Sequence, residues 1–200
     1  MGTLYIVATP IGNLGDMTER ATAVLRDADV IAVEDTRHSG KLLLQFGIAT
    51  PMVALHDFNE AERMTQLLAR LGNGESVALI SDAGTPLISD PGYQLVRQAH
   101  AQGIRVVPVP GSCAAIAALS CAGLPTDRFT FEGFLPAKSA ARLAVLARLS
   151  SESRTMIFYE APHRIVECLV DMAQSFGAER EATLARELTK TFETLVQSTL

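Results

Sequence analysis

The sequence predicts an α/β protein with a mainly parallel N-terminal sheet and a smaller α/β C-terminal domain. Three observations lead there. Through residues 1–122 short continuous apolar runs alternate with segments of helical spacing, the pattern of strands buried on both faces. Each of those runs stops at a cluster of Pro, Gly, Ser, Thr or acid, so parallel strands would gather the clusters on one sheet edge. After Gly123-Leu124-Pro125-Thr126-Asp127, which reads as an interdomain linker, the chain changes style. The expected domains are therefore 1–122 and 123–200.

In order, Leu4–Ala8 is a buried strand ending at Thr9-Pro10, with a loop over Ile11–Asp16 and a helix over Met17–Asp27. Val30–Val33 is the next strand, ending in Glu34-Asp35-Thr36-Arg37, and the spacing predicts a helix over Ser39–Phe46. Met52–Leu55 is a short strand and Glu60–Leu71 an amphipathic helix. The strand Val77–Ile80 runs into Ser81-Asp82-Ala83-Gly84-Thr85-Pro86 and then a second Ser-Asp-Pro-Gly turn, Ser89–Gly92. A helix over Tyr93–Gln102, the strand Arg105–Val109 and a small-residue helix over Cys113–Ala122 complete the first domain. Ser112 is placed to cap that helix and Gly123 to stop it. In the second domain Phe129–Phe134, Thr155–Tyr159 and Ala182–Arg186 read as strands, and Ser139–Leu149 and Ile165–Phe176 as helices. Phe192–Val196 has strand-like alternation with no visible closing element, which suggests a domain lacking a terminal hairpin or helix.

Composition narrows the function. Hydrophobic residues make up 48% and charged ones 20%, which suits a globular protein with a real core. Leu4–Ala8 is too short and lacks the basic flank of a signal peptide, and no window has the roughly 20 apolar residues of a membrane span, so a cytoplasmic location is expected. Cys113, Cys121 and Cys168 show no CxxC spacing and are expected to be reduced thiols; His38, His56, His100 and His163 show no metal-ligand spacing, so no metal is expected. A net charge of −5 disfavours nucleic-acid binding by bulk attraction. The charge is uneven, however. Lys138, Arg142, Arg148 and Arg154 have only Glu152 among them, and Arg37, His38 and Lys41 form a second basic cluster; solvated surface is the plain alternative for both.

The candidate sites lie at the strand ends. Thr9–Asp16 is neither GxGxxG nor a P-loop, so a nucleotide-phosphate site is weakly supported. Pro10 is a rigid wall without an amide hydrogen, suited to a flat or apolar ligand. Glu34–His38 can be a helix cap with local ion pairs, or a carboxylate set beside Arg and His to orient a nucleophile or act as base. Ser81–Thr85 is the strongest local signal, because Ala83-Gly84 lets a ligand approach the backbone closely. Glu160–Arg164 and Arg186–Lys190 place further acid-base groups at strand ends of the second half.

Six segments, ATPIGNLGDMT (8–18), VEDTRHS (33–39), SDAGTPLISDPG (81–92), VPGSCAA (109–115), FYEAPHR (158–164) and RELTKTFE (186–193), occur in an order that resembles the tetrapyrrole methylase superfamily. Within it the chain is similar to the branch that methylates a cytidine ribose in small-subunit (16S) ribosomal RNA. ATPIGN and SDAGTP stand where precorrin methylases carry a GxGPG-like loop and a GDP-type turn, which favours the RNA-modifying branch. The resemblance implies a two-domain tetrapyrrole-methylase-like fold with S-adenosylmethionine in the cleft. Cofactor contacts implied by position are Pro10, Asp82, Ala83, Gly84, Ser112, Cys113 and Ala114, then Tyr159, Ala161, Ala185, Arg186 and Glu187. The reaction it implies is in-line attack of a ribose 2′-hydroxyl on the methyl carbon. For that step the candidates are Asp35 as base or orienter, Arg37 and Lys190 as phosphate or hydroxyl anchors, and Glu187 as alternative base. Arg37, Lys138, Arg142 and Arg148 are candidate RNA contacts. The partner implied is 16S rRNA in the 30S subunit, with a homodimer plausible. The same scaffold would also suit a methylase of a tetrapyrrole or protein, or a non-catalytic, cofactor-sensing RNA-binding protein.

Overall fold

Alternation along five short strands builds the first part of the molecule, seen in a computed structural model that describes residues 1–55 and 60–200. The strands are β1 (Thr3–Val7), β2 (Val30–Val33), β3 (Met52–Ala54), β4 (Val77–Leu79) and β5 (Arg105–Val109), all parallel, in the order β3-β2-β4-β1-β5. Leu4, Val30, Ala32, Val77 and Leu79 point to one face; Val7, Ile31, Val33, Ala78 and Ile80 point to the other. Helices α3 (Glu60–Gly72) and α4 (Tyr93–Ala101) cover the first face through Leu67, Leu71, Leu95 and Ala99. Helices α1 (Glu19–Asp27) and α2 (Thr36–Gln45) cover the second through Ala21, Leu25 and Leu43. Both sheet faces are thus dry, and that is why the strands read as unbroken apolar runs.

This order has a consequence for ligand binding. From β1 the chain passes through α1 to β2; from β4 it passes through α4, on the opposite face, to β5. The loops after the neighbouring strands β1 and β4 therefore leave toward opposite faces, the topological switch at which open α/β sheets bind ligands.

The chain divides into two compact units, Met1–Cys113 and Ala114–Leu200. The small-residue helix α5 (Ala114–Cys121) belongs to the second, where its Ala115 N–H donates to the Tyr159 hydroxyl at 3.1 Å. There β6 (Phe129–Phe134) and β7 (Thr155–Tyr159) pair in parallel, with α6 (Ser139–Leu149) as the crossover. With α7 (Ile165–Phe176) they enclose a small core of Leu135, Leu146, Cys168 and Met172. The last strands, β8 (Glu181–Arg186) and β9 (Thr194–Thr199), form an antiparallel hairpin. Thr183 and Gln197 tie it to the end of α5 by hydrogen bonds to the carbonyls of Ala122 (2.8 Å) and Gly123 (3.3 Å).

Three readings of the sequence need correction. Helix α2 begins at Thr36, not Ser39, because Asp35 caps it; its first turn is polar and exposed and shows no apolar period. The final strand begins at Thr194 rather than Phe192, since Phe192 and Glu193 belong to the hairpin connection from β8. Arg142 is not a surface cation. It is 1% exposed and its Nε lies 2.7 Å from Asp171 Oδ2, so α6 is less basic on its surface than its sequence suggests. Cys113, Cys121 and Cys168 are all free thiols, and His56 lies outside the described residues.

Candidate functional site

The β1 and β4 loops are stitched together by their backbones. Thr9 N–H donates to the Gly84 carbonyl at 2.9 Å and Gly84 N–H to the Thr9 carbonyl at 3.0 Å. This two-way bridge needs Gly84 at φ +83°, where a Cβ would also sit 3.2 Å from Ile11 Cγ2 and 3.7 Å from the Ser112 carbonyl. Thr85 Oγ1 donates to that same carbonyl at 2.9 Å, which brings in the end of β5. Asp35 N–H donates to Asp82 Oδ1 at 3.3 Å, which brings in the end of β2. Pro10, Asp35, Asp82, Ala83, Gly84 and Ser112, separate in sequence, therefore share one edge of the sheet. Pro10 and Gly84 are buried, Asp82 and Ser112 half-buried, and Ala83 is exposed.

Charge in this corner is organised around two aspartates. Asp35 accepts the Arg37 N–H at 2.8 Å and grips the Arg37 guanidinium through both carboxylate oxygens (3.2 and 2.9 Å). Those bonds hold its carboxyl down at about 2. A carboxylate so acidic is a poor proton acceptor near neutral pH, so the geometry suits capping and orienting better than base catalysis. Arg37, 88% exposed, is left facing solvent with its fork oriented. Asp90, a residue the sequence reading treated only as a turn former, has its carboxyl pushed up by burial, while a Ser81 hydrogen bond opposes the shift and the Asp82 charge adds to it. Sequence reasoning left Asp90 as a turn former, and it placed Thr85 in the Ser81–Thr85 signal without its bond to Ser112. The repeat of Ser-Asp within one loop was the available signal for Asp90; the partner of Thr85 is 27 residues away and left none.

The second unit carries the remaining candidates. Tyr159, on β7, accepts the Ala115 N–H beside Ala114. Ala161 has both backbone groups engaged: its N–H donates to Glu160 Oε1 (2.7 Å) and its carbonyl accepts from Arg164 N–H (2.9 Å). Its methyl group and the second lone pair of its carbonyl are left for a ligand. Ala185 and Arg186 pair with Leu195 and Thr194 in the hairpin. The following turn is strained, with Glu187 at φ 54° and Thr189 at φ 66°. Lys190 N–H bonds the Glu187 carbonyl at 3.0 Å, the two side chains pair at 3.2 Å, and Glu193 accepts the Thr189 N–H at 2.6 Å. Lys138 and Arg148 are exposed at opposite ends of α6. Arg154 is held by Glu152 in a two-point ion pair and is not a free cation.

The donor set fits a small cationic ligand with an apolar portion. Asp82 presents a half-exposed carboxylate, Ala83 an exposed backbone with only a methyl group, and Pro10, Gly84 and Ser112 close the corner without a bulky side chain. Among the described residues no group of three or more His, Cys, Asp or Glu could hold a metal ion. No helix among them is long and apolar enough to cross a membrane.

Comparison with known proteins agrees with this architecture. The chain is 65% identical over 194 residues to a protein named ribosomal RNA small subunit methyltransferase I from Pseudomonas aeruginosa, covering 97% of this chain and 69% of that one. A protein of the same name from Xylella fastidiosa is 61% identical, covering 100% and 73%. A uroporphyrin-III C-methyltransferase structure from Thermus thermophilus, complexed with S-adenosylhomocysteine, superposes with a TM-score of 0.65 at 21% identity, covering 99% of this chain and 88% of that one. With the family profile of the tetrapyrrole (corrin/porphyrin) methylases matching residues 3–200, the chain belongs to that family.

Proposed function

We propose that this chain transfers the methyl group of S-adenosylmethionine to the 2′-hydroxyl of a cytidine in small-subunit (16S) ribosomal RNA. The observation that carries this reading is the 65% identity, over 97% of the chain, to a protein named for ribosomal RNA methylation. The place proposed for it is the sheet edge where the loops after β1, β2, β4 and β5 meet. When bound, S-adenosylmethionine supplies an electrophilic methyl group on a cationic sulfur. Asp82 provides the anionic oxygen for a cationic group of that ligand, and Ala83, Gly84, Ser112 and Pro10 the close backbone and apolar wall. Cys113 and Ala114 adjoin Ser112 and are proposed to extend that wall.

Asp35 is proposed to act as an orienter. It aims the Arg37 guanidinium, a fork suited to an RNA phosphate. The hydroxyl proton passes to Glu187, with Lys190 holding that carboxylate and a phosphate or hydroxyl of the substrate. Orientation of the two reactants can lower the barrier by roughly 7–11 kcal/mol, and a positioned base adds about 10²–10⁴-fold. Tyr159, Ala161 and the Ala185–Glu187 strand end are proposed cofactor neighbours from the second unit. The proposal extends to assembled 30S subunits as substrate, a cytoplasmic location and a homodimer.

The test is tritium transfer from labelled S-adenosylmethionine to 30S subunits that lack the modification. Label in the 2′-O-methyl group of one cytidine is expected. Label on precorrins but on no RNA would overturn the reading.

A further inference from the structure

A slip in the β6–β7 register brings two exposed rings, Phe131 and Phe134, against Tyr159. On a regular strand Phe131 and Phe134, three residues apart, would point to opposite faces. The ladder pairs Phe131 with Ile157 and Gly133 with Phe158, so Glu132 is an extra residue, and Gly133 takes up the irregularity at φ 65°. The slip returns Phe134 to the face of Phe131, opposite Tyr159. Both rings pack edge-on against Tyr159, with centroids 4.9 and 5.6 Å away and planes at 74° and 63°. Such a cluster belongs in a core, yet Phe131 is 36% and Phe134 56% exposed.

The segment that follows is held as firmly. Arg164 donates to the Leu135 carbonyl at 2.7 Å, and Arg142 to the carbonyls of Pro136 (3.4 Å) and Ala137 (3.2 Å). Arg142 is itself locked by Asp171, which also accepts from Ser139 at 3.1 Å. A buried cation thus spends its hydrogen bonds on two consecutive backbone carbonyls and on Asp171 of α7. The exposed residue at the end of that braced segment is Lys138, four residues beyond Phe134 and so within about 14 Å of it along the chain.

We propose that Phe131 and Phe134, set on one face by the Glu132–Gly133 bulge, form a stacking platform for an unpaired base of the RNA substrate, with Lys138 on an adjacent phosphate. Exposed aromatic rings beside a cation are the means by which single-stranded nucleic acid is held without sequence readout. Lys138, four residues beyond the rings, favours an occupant that carries phosphate. The platform rests on the reading of the chain as an RNA methylase, and it explains how a protein of net charge −5 holds RNA.

The test uses a short single-stranded RNA carrying 2-aminopurine. Binding to the wild-type protein should quench its fluorescence. Phe134→Leu should abolish the quench and raise the dissociation constant and the KM for RNA roughly 5- to 100-fold, with Phe134→Tyr restoring both. Lys138→Glu should weaken binding and lower the salt slope by about 1. Phe131→Leu supplies an independent variant if Phe134→Leu fails to fold. Affinity for S-adenosylhomocysteine, by calorimetry, should not change. Wild-type RNA affinity in folded Phe134→Leu overturns the platform. Loss of S-adenosylhomocysteine affinity in that variant reassigns the rings to the cofactor, and a change in its oligomeric state reassigns them to a second copy; each also overturns it. Wild-type protein that methylates no RNA removes the parent reading; methylation with unchanged KM in Phe134→Leu removes the platform alone.

Discussion

Asp35 and Arg142 show how a charge is redefined by its immediate partners. Asp35 is held at about 2 by Arg37, against 3.8 for the free group, so it adds stability above pH 3.8 that disappears as pH falls through about 2. Glu152, held at about 2 by Arg154 against 4.5, behaves in the same direction. Asp35→Asn combined with Glu152→Gln should therefore flatten the acid limb of the stability profile below pH 4.5, followed by circular dichroism, and leave stability at pH 3.8–4.5 and above lower than in the wild type. In single-turnover methylation Asp35→Asn should raise the half-saturating concentration for RNA and leave the saturating rate nearly unchanged; a 10²–10⁴-fold fall in that rate would return Asp35 to the role of base. Arg142 is the opposite case, a buried cation. Asp171→Ala strands it and should cost about 3–5 kcal/mol in urea denaturation, without altering the salt dependence of RNA binding.

At the scale of elements, the connection from β4 to α4 is more than a link. It contains Gly84 and Gly92 at φ +83° and +114°, and also Leu87 and Ser89 at φ 73° and 68°, where side chains are rarely tolerated. Leu87 packs against the core beneath α3 and α4, which holds the strained backbone in place. A Cβ at Gly92 would lie 2.8 Å from Leu79 Cδ2, so Gly92→Ala meets both a steric clash and the left-handed penalty. A loss of about 2–4 kcal/mol is expected, read as a lower denaturation midpoint. Gly84→Ala meets only the soft Ile11 contact and the backbone penalty. It should cost less, about 1–2 kcal/mol, while weakening S-adenosylhomocysteine binding measured by calorimetry.

For the whole molecule, the question is how an acidic chain binds an acidic polymer. Of the basic residues proposed from sequence for RNA, Arg37, Lys138 and Arg148 are exposed and Arg142 is not. Three single-strand phosphate contacts at roughly 0.7 released counterions each give a slope of log Kobs against log salt near −2. Filter binding across salt concentrations should return that value, and a slope steeper than about −5 would require a further basic surface. The electrostatic part of binding is then small, which places weight on stacking and on shape.

Strand positions were legible because burial on both faces of a parallel sheet leaves a local trace. The ranges Val30–Val33, Arg105–Val109, Phe129–Phe134 and Thr155–Tyr159 are strands in both sequence and structure. The strand-end clusters were legible for the same reason, since turn residues must interrupt each apolar run. Sequence alone thus determined the fold class, the family and the turn-rich loops that end the strands. Tertiary structure decided which polar groups meet: Asp35 N–H with Asp82, Thr85 with Ser112, Arg142 with Asp171, and two phenylalanines brought to one face by a single slipped residue. Those pairings join residues 27 to 47 positions apart, or turn on strand register. Packing selects them only after the strands are side by side, so the chain read locally carries no periodic mark of them.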